Sequence, residues 1–148
     1  MANDLKIELL SAEHLKDVAL LEKECFVEPW SEKSLELLLT DSGFGIAAVI
    51  YGKVVGYCGV MIALDEGQIT DVAVSGEYRR RGIGMEIVKA TVKEAAKRGL
   101  SVLYLEVRES NLAARELYRA CGFEECGVRK SFYRRPTENA VLMNYKIV

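Results

Sequence analysis

Arg79-Arg80-Arg81-Gly82-Ile83-Gly84 lies between a strand-like segment, residues 68–74, and a helical segment that begins at Ile83. Gly82 and Gly84 allow the backbone to approach a ligand closely, because glycine has no Cβ. The first amides of the helix have no partner within it, and together with the helix dipole they favour a bound phosphate or pyrophosphate. The arginines add charge that pairs with phosphate oxygens. The stretch therefore predicts an anion-binding loop at a strand-to-helix junction.

Two other phosphate-binding motifs do not fit this loop. A Walker loop requires Gly-Lys-Ser/Thr, and neither lysine nor serine follows Gly84. A Rossmann fingerprint requires a third glycine, three residues after Gly84, where Ile87 stands instead. The loop is therefore of a different type.

Length and composition are those of one folded domain, residues 1–148, since half of the residues are hydrophobic. The chain has no run of 18 or more apolar residues, and its first residues lack the apolar stretch of a signal peptide. The net charge of −2 argues against nucleic acid as the main partner. We therefore expect a cytoplasmic protein without a membrane or nucleic-acid partner, and with a local basic cluster suited to an anionic cofactor.

The sequence contains few residues that could bind a metal ion or form a disulfide framework. His14 is the only histidine, and the cysteines form no Cys-x-x-Cys pair; they are Cys25, Cys58, Cys121 and Cys126. We therefore expect no metal site and no disulfide scaffold, and we expect most of the thiols to be small core residues. His14 stands between Glu13 and Lys16 in sequence surroundings that predict a solvated surface side chain.

The hydrophobic pattern predicts an α/β fold with a mixed central sheet and about four helices. Helices are expected after Ser11, after Ser31, over residues 83–98, and from Ser110 or Asn111 to Cys121; strands are expected over 46–51, 54–64, 68–74, 102–107, 123–128 and 140–147. Turns are predicted at Gly52-Lys53 and at residues 65–67. The order strand, helix, strand favours a parallel crossover between 69–74 and 102–107.

Glu106 is the one charged residue within the apolar segment 103–107. Such a carboxylate is either a solvated or arginine-paired group at a strand end, or a general base at the edge where open α/β sheets bind ligands. Tyr118 follows Asn111 by about two helical turns, so the two share a helix face. On its own, a tyrosine at this spacing would be a core residue.

Two motifs together resemble the GNAT family of N-acetyltransferases. The first is Arg79-x-x-Gly82-x-Gly84, and the second is the run Asn111-x-x-Ala114-x-x-Leu117-Tyr118-x-x-x-Gly122-Phe123. The resemblance implies the family's fold and acetyl-CoA as co-substrate. It also implies Glu106 as general base, Tyr118 as general acid, and cofactor contacts from Val72, Ala73, Val74, Arg79, Arg80, Arg81, Gly82, Ile83, Gly84, Met85 and Asn111.

Within the family, the similarity is greatest to the bacterial branch that acetylates the N-terminal alanine of a ribosomal protein. It is carried by segments 29–34, 105–108 and 129–133, besides the helix of Tyr118. It implies direct transfer of acetyl to the α-amino group of a protein N-terminus. Trp30 and Tyr133 either border the acceptor groove or pack between elements. The hairpin at residues 134–140 departs from the family pattern, with two arginines and an asparagine where acidic residues are more usual.

Two other functions are compatible with parts of the sequence. An acetyltransferase for a small amine would use the same catalytic residues with another acceptor. A non-catalytic sensor of acyl-CoA would keep the loop but would need neither Glu106 nor Tyr118. The presence of both residues favours an enzyme.

Overall fold

Seven strands form one mixed sheet in the computed structural model, which describes residues 4–148. The strands are β1 (Leu5–Leu9), β2 (Gly43–Ile50), β3 (Lys53–Ala63), β4 (Glu66–Val74), β5 (Val102–Arg108), β6 (Glu124–Tyr133) and β7 (Glu138–Lys146). Their order in the sheet is β1-β2-β3-β4-β5-β7-β6. The β4–β5 pair is parallel and the other neighbouring pairs are antiparallel.

Four helices cover the two faces of this sheet. They are α1 (Leu15–Cys25), α2 (Glu32–Leu35), α3 (Ile83–Lys97) and α4 (Leu112–Ala120), with 3₁₀ turns at Ala12–His14, Glu36–Leu39 and Gly76–Tyr78. Apolar residues of α1 and α2 form a core on one side of the sheet, the α1 face. Those of α3 and α4 form a second core on the other side, the α3 face. The predicted α/β class, mixed sheet and helix number are confirmed.

The helix boundaries follow from capping groups in the sequence. The Ser31 hydroxyl accepts a hydrogen bond from the Ser34 amide, 3.1 Å away, at the start of α2. Asn111 caps α4 in the same way, since its side-chain oxygen accepts from the Ala114 amide at 3.1 Å. Gly99, with a φ of 78°, follows the end of α3.

Strand β1 and the exact turns differ from the predictions. The alternating segment Leu5–Leu9 pairs with β2 at the sheet edge, although its shortness and its place ahead of the first helix gave no strand prediction. The first hairpin turns at Tyr51 and Gly52, one residue earlier than predicted, because both positions have positive φ, 50° and 78°. The second turns at residues 64–65, where Leu64 has a φ of 57°, rather than at 65–67.

Strands β4 and β5 form only a short parallel pairing and separate beyond it. Their pairing comprises Glu66 with Val102, Gly67 with Leu103, and Gln68 with Tyr104. Beyond these pairs β5 continues beside β7, whereas residues 69–74 of β4 pair with β3. The predicted parallel crossover between 69–74 and 102–107 is present as β4, α3 and β5, but the paired residues of β4 are 66–68, ahead of the predicted segment. The gap between 69–74 and the second half of β5 is called the split.

Two side-chain predictions are also corrected. His14 is buried rather than solvated, because its ring bonds at both nitrogens: Nδ1 accepts from the Ser11 amide and Nε2 lies 2.9 Å from Glu8. Of the four cysteines only Cys58 is fully buried, since the others lie near helix ends or on β6. In the part of the chain from residue 4 onward, no helix has the length and apolarity required to cross a bilayer.

Candidate active site at the split of the sheet

The β4 side of the split presents free backbone groups. The Ser75 amide donates to the Val55 carbonyl of β3 at 2.8 Å. Because peptide groups alternate in direction along a strand, Val72 and Val74 point their amides away from β3 and toward the split. The side chain of Ala73 is buried on the α1 face. The strand edge therefore offers hydrogen bonds to an extended ligand lying in the split.

The loop before α3 has an open helix N-terminus. Gly82 has a φ of 79°, and no atom lies within 4 Å of the place that its Cβ would take. The first helical bond is from the Glu86 amide to the Gly82 carbonyl, so the amides of residues 83–85 have no helical partner. A Cβ on Gly84 would lie 3.2 Å from Leu117 of α4, so this glycine allows the two helices to approach. The loop therefore has the open space and the free amides that an anion-binding loop requires.

The three arginines of the loop have different positions. Arg79 is exposed, but its Nε donates to the Val74 carbonyl at 3.0 Å and its Nη2 lies 3.6 Å from Cys25 Sγ. The Arg81 guanidinium lies 5.2 Å from the ring centre of Tyr78. Arg80 and Arg81 are exposed and border a cavity of about 710 Å³. Arg79 thus braces the end of β4, whereas the other two present charge at the surface of the loop.

Glu106 stands on the β5 side of the split. Both interpretations that the sequence left open, a paired strand-end carboxylate and a group at the ligand-binding edge, apply to its position. Glu106 alternates with Leu105 and Val107, which are buried on the α3 face, so its side chain projects to the α1 face. Its carboxylate lies 3.2 Å from Arg129 of β6 and accepts a 3.5 Å hydrogen bond from Gln68, at the end of the parallel pairing. Glu106 is therefore ion-paired, and it is also held beside the split.

Tyr118 belongs to the opposite face of the sheet. Its ring packs on Phe123 at 5.9 Å in the α3-face core, and only 8% of the residue is exposed. Burial raises the pKa of its hydroxyl, and the nearby Cys58, Asp71 and Tyr133 add to this effect. The hydroxyl therefore carries its proton at neutral pH and is a hydrogen-bond or proton donor.

Tyr133 interacts electrostatically with both candidate catalytic residues. Burial raises its pKa to about 12, and the Glu106 carboxylate contributes in the same direction. Tyr133 also acts on the pKa of Tyr118, as described above. The Tyr133 hydroxyl therefore carries its proton at neutral pH, and it interacts electrostatically with Glu106 and with Tyr118.

Asn111 has less freedom than its predicted role suggests. Its side-chain oxygen accepts the capping hydrogen bond of α4, which fixes the orientation of the side chain and leaves both hydrogens of the side-chain nitrogen for a ligand. The cap fixes the start of the helix that carries Tyr118. Asn111 therefore has a structural function in addition to any contact with a cofactor.

The residues predicted to border an acceptor lie on the α1 face. Trp30 is in the α1–α2 turn, residues 26–31, and its amide donates to Glu22 at 2.9 Å. The guanidinium of Arg108 stacks 4.5 Å from the ring centre of Tyr133 in the β6–β7 hairpin. An ion pair of 3.1 Å between Arg135 and Glu28 joins the hairpin tip to the turn. The structure therefore brings the turn and the hairpin together.

Sequence analysis missed a buried acid, Glu22, and a half-buried acid, Asp71, on this side of the sheet. Glu22 of α1 is fully buried, and it accepts hydrogen bonds from the Trp30 amide and the Tyr57 hydroxyl. Burial raises the pKa of Asp71, on β4, to about 9, and so do hydrogen bonding to Glu22 and its charge. The available signals were a carboxylate on the apolar stripe of Leu15 and Val18, and an acid within an otherwise uncharged strand.

Metal ligands do not cluster in the structure. Among residues 4–148, no group of three or more histidine, cysteine, aspartate or glutamate side chains is placed to hold a metal ion.

Comparison with known proteins assigns the chain and its fold to a family. The model of the acetyltransferase (GNAT) family matches residues 15–123. The chain belongs to this family. The [ribosomal protein bS18]-alanine N-acetyltransferase of Escherichia coli (strain K12) is 33% identical over 127 residues, covering 83% of this chain and 84% of that protein. The predicted resemblance to this branch of the GNAT family is confirmed, and the protein is an N-acetyltransferase.

Solved structures of GNAT proteins show the same architecture. The crystal structure of the ribosomal-protein-S18-alanine N-acetyltransferase from Escherichia coli superposes with a TM-score of 0.89 at 30% identity, covering 97% of this chain and 94% of that one. A GNAT family acetyltransferase from Elizabethkingia anophelis with acetyl-CoA bound has a TM-score of 0.78 at 19% identity, covering 98% and 99% of the two chains. The second likeness concerns the fold alone.

Proposed function

We propose that this enzyme transfers acetyl from acetyl-CoA to the N-terminal α-amino group of a protein. The relatives that acetylate the alanine of a ribosomal protein support an acceptor of the same type. The proposal treats residues 1–148 as one catalytic domain, and it places the reaction in the cytoplasm, where a ribosomal acceptor would be found.

The groups on the α3 face fit the chemistry of acetyl-CoA. The free amides of Val72 and Val74 suit the amide-containing pantetheine arm, which can pair with a strand edge. The open amides of residues 83–85, the space at Gly82 and the exposed Arg80 suit a pyrophosphate. The co-substrate supplies an activated thioester carbonyl. In this proposal Arg79 keeps the end of β4 in place rather than contacting phosphate, and Asn111 offers its side-chain nitrogen to the pantetheine.

The groups on the α1 face fit an extended peptide. The turn that carries Trp30 and the hairpin that carries Tyr133 are joined by an ion pair, and together they border the approach to Glu106. An N-terminal segment bound there adds backbone hydrogen bonds, which a polyamine does not possess. We therefore assign the α1 face to the acceptor.

Each catalytic residue has a separate task in this proposal. Glu106 accepts a proton from the acceptor amine, whose pKa of about 7.7–8.0 makes this transfer easier than from a lysine side chain of about 10.4. Tyr118 donates its proton to the departing thiolate, and its burial keeps that proton bound until then. The Val74 amide is placed to polarise the thioester carbonyl. Much of the acceleration comes from holding amine and thioester together.

One observation carries the proposal. Glu106 and Tyr118 belong to opposite faces of the sheet. The split between β4 and β5 is the opening through which ligands bound on the two faces would reach each other. An amine that enters from the α1 face and a thioester that enters from the α3 face would meet between a base and an acid. A protein that only binds acyl-CoA has no need of this arrangement.

The acceptor assignment is tested with peptides that carry both a free N-terminus and an internal lysine. After incubation with acetyl-CoA, mass spectrometry should find the label on the α-amine, with alanine or serine preferred as first residue. Label mainly on lysine, or faster turnover with spermidine than with any peptide, would reject this acceptor and support the small-amine alternative.

A further inference from the structure

The ladder of the β6–β7 hairpin is interrupted near its tip. The two strands pair at Arg129 with Ala140, and they pair next at Tyr133 with Glu138. Three residues of β6 lie between these pairs, against one residue of β7. Such a bulge breaks the regular series of backbone hydrogen bonds. The tip, residues 134–137, therefore lies beyond an interrupted ladder, and its position depends on other contacts.

Arg108, the last residue of β5, supplies contacts to this tip. Its Nη2 donates to the Arg134 carbonyl at 2.9 Å, and its Nη1 donates to the Pro136 carbonyl at 3.0 Å. The same guanidinium lies over the ring of Tyr133. Because the donors of a guanidinium are fixed in one plane, this single group sets two carbonyls and a ring in one geometry. Arg108 therefore determines where the tip lies relative to β5.

Glu138 extends this contact to the start of helix α4. Its Oε1 accepts from Arg108 Nη1 at 3.2 Å, and its Oε2 accepts from the Ser110 amide at 2.6 Å. Both side chains are partly shielded from solvent, since 27% of the Arg108 side chain and 18% of the Glu138 side chain are exposed. Ser110 directly precedes Asn111, which caps α4. The hairpin is thereby joined to β5 and to the helix that carries Tyr118.

The Arg108 contacts connect the hairpin with the rest of the α1 face. Arg108 follows Glu106 by two residues of β5, so the two side chains project from the same face of the strand. The two carbonyls that Arg108 binds flank Arg135 in the sequence. The Arg135 guanidinium pairs with Glu28 of the α1–α2 turn at 3.1 Å. One side chain thus joins the strand of the candidate base to the hairpin and, through the tip, to the turn.

We propose that Arg108 is a positioning residue for the acceptor, which fixes the hairpin tip, with Tyr133 and Arg135, relative to Glu106. The inference rests on the proposed function in one respect, because it takes the hairpin as a border of the acceptor groove. The ion pair with Glu138 is the smaller part of the contact, since partly exposed pairs contribute little. The fork to two carbonyls requires arginine, because the single ammonium group of a lysine does not reproduce it.

The first experiment measures kcat and both KM values for Arg108→Lys, with an alanine-first peptide as acceptor. This variant keeps the charge beside Glu138 but loses the planar fork. The peptide KM should rise about tenfold, while kcat falls less than about threefold and the KM for acetyl-CoA changes less than about twofold. An unchanged peptide KM, or equal rises of the two KM values, would overturn the positioning function.

Arg98→Lys is the matched control for this substitution. Arg98 also stacks on an aromatic ring, 4.7 Å from the ring centre of Phe44, and it pairs with Glu94 at 2.8 Å. It follows the last residue of α3, at the opposite end of that helix from the glycine loop. The control should have the wild-type peptide KM. A rise equal to that of Arg108→Lys would assign the effect to general loss of stability and overturn the proposal.

The second experiment tests the contact itself by limited trypsin digestion without substrates. Trypsin cleaves after arginine, and the bond between Arg134 and Arg135 is the one whose carbonyl Arg108 holds. Cleavage there requires local release of the tip. In Arg108→Lys this bond should be cut about tenfold faster than in wild type, because the tip opens more often. Cleavage after the exposed Lys53, in the β2–β3 hairpin, is the internal reference and should keep its wild-type rate.

The digestion also separates this inference from the proposed function. Its rates do not depend on the acceptor, so they test the contact even if labelling experiments reject the peptide N-terminus. Equal cleavage after Arg134 in wild type and in Arg108→Lys would overturn the contact. Faster cleavage together with an unchanged peptide KM would remove the hairpin from the acceptor groove and overturn the positioning function of Arg108.

Discussion

The two faces of the sheet assemble their parts of the site in different ways. On the α3 face, the groups assigned to the cofactor come from two continuous segments, residues 72–85 and 111–118. On the α1 face, the groups assigned to the acceptor come from the α1–α2 turn, β5 and the β6–β7 hairpin, and the ion pair of Glu28 with Arg135 spans 107 positions of sequence. A short motif can therefore specify the cofactor side, whereas the acceptor side exists only after the whole sheet has formed.

Loss of the Tyr118 hydroxyl should give the largest decrease in turnover, and it should leave the binding of acetyl-CoA and of the acceptor intact. Tyr118→Phe keeps the ring that packs on Phe123. Turnover should fall by roughly 10²–10⁴-fold, the usual scale for a general acid, with little change in acetyl-CoA binding. Tyr145→Phe is the control, because the Tyr145 ring packs on the same Phe123, with ring centres 5.5 Å apart, outside the split. Comparable kcat values in the two variants would remove Tyr118 from the proton transfer.

Replacement of Glu106 should affect the acceptor side through the protonation of the amine. Glu106→Gln should lower kcat/KM by about a hundredfold at pH 7. The loss should shrink above pH 8, where an α-amine with a pKa of about 7.7–8.0 is already neutral. Glu125→Gln serves as control, since Glu125 is another arginine-paired carboxylate, remote from the split. A pH-independent loss would mean that Glu106 positions the substrate rather than accepting its proton.

A negative charge at Gly82 should weaken ligand binding on the α3 face and leave acceptor binding on the α1 face unchanged. Gly82→Asp places a negative group beside the open amides of α3, and the affinity for CoA should fall by about 10–100-fold in calorimetry. Gly99→Asp is a matched control, because Gly99 has nearly the same φ, 78° against 79°, and equally open surroundings. The two variants should share the cost of a left-handed aspartate, but only the first should lose CoA. Equal CoA affinity would move the pyrophosphate away from this loop.

The smallest effect on the peptide KM is expected from removal of the exposed ion pair that joins the hairpin tip to the α1–α2 turn. Arg135 and Glu28 are both about two-thirds exposed, so their attraction is weak and screened by salt. Arg135→Ala should raise the peptide KM about two- to fivefold at low ionic strength and by less at high salt, with kcat and the KM for acetyl-CoA unaltered. A loss that persists at high salt would indicate direct contact with the acceptor instead.

The sequence was most informative where function depends on consecutive residues. The glycines and arginines at 79–84 and the capped helix with Tyr118 could be recognised because their geometry is local. The position of the split could not, since nothing in strands of this length shows where parallel pairing ends. The structure places that end at Gln68 and Tyr104.

Buried polar residues were the harder part of the prediction. His14 and Glu22 look like surface residues, because their burial depends on partners elsewhere: Glu8 for the first, Tyr57 and Trp30 for the second. Asp71 has the same difficulty, because an acid in a strand is ordinarily placed at the surface. Each becomes explicable only when the facing element is known.

Hydrogen exchange should detect the split directly. Most strand amides in the interior of a sheet are protected by a neighbouring strand, but those of Val72 and Val74 face a gap. In the free enzyme they should exchange with solvent much faster than the amide of Ser75, which is bonded to Val55. A bound extended ligand would act as a temporary strand and slow them. Two amides near the middle of the sheet would then report occupancy of the site with no catalytic turnover required.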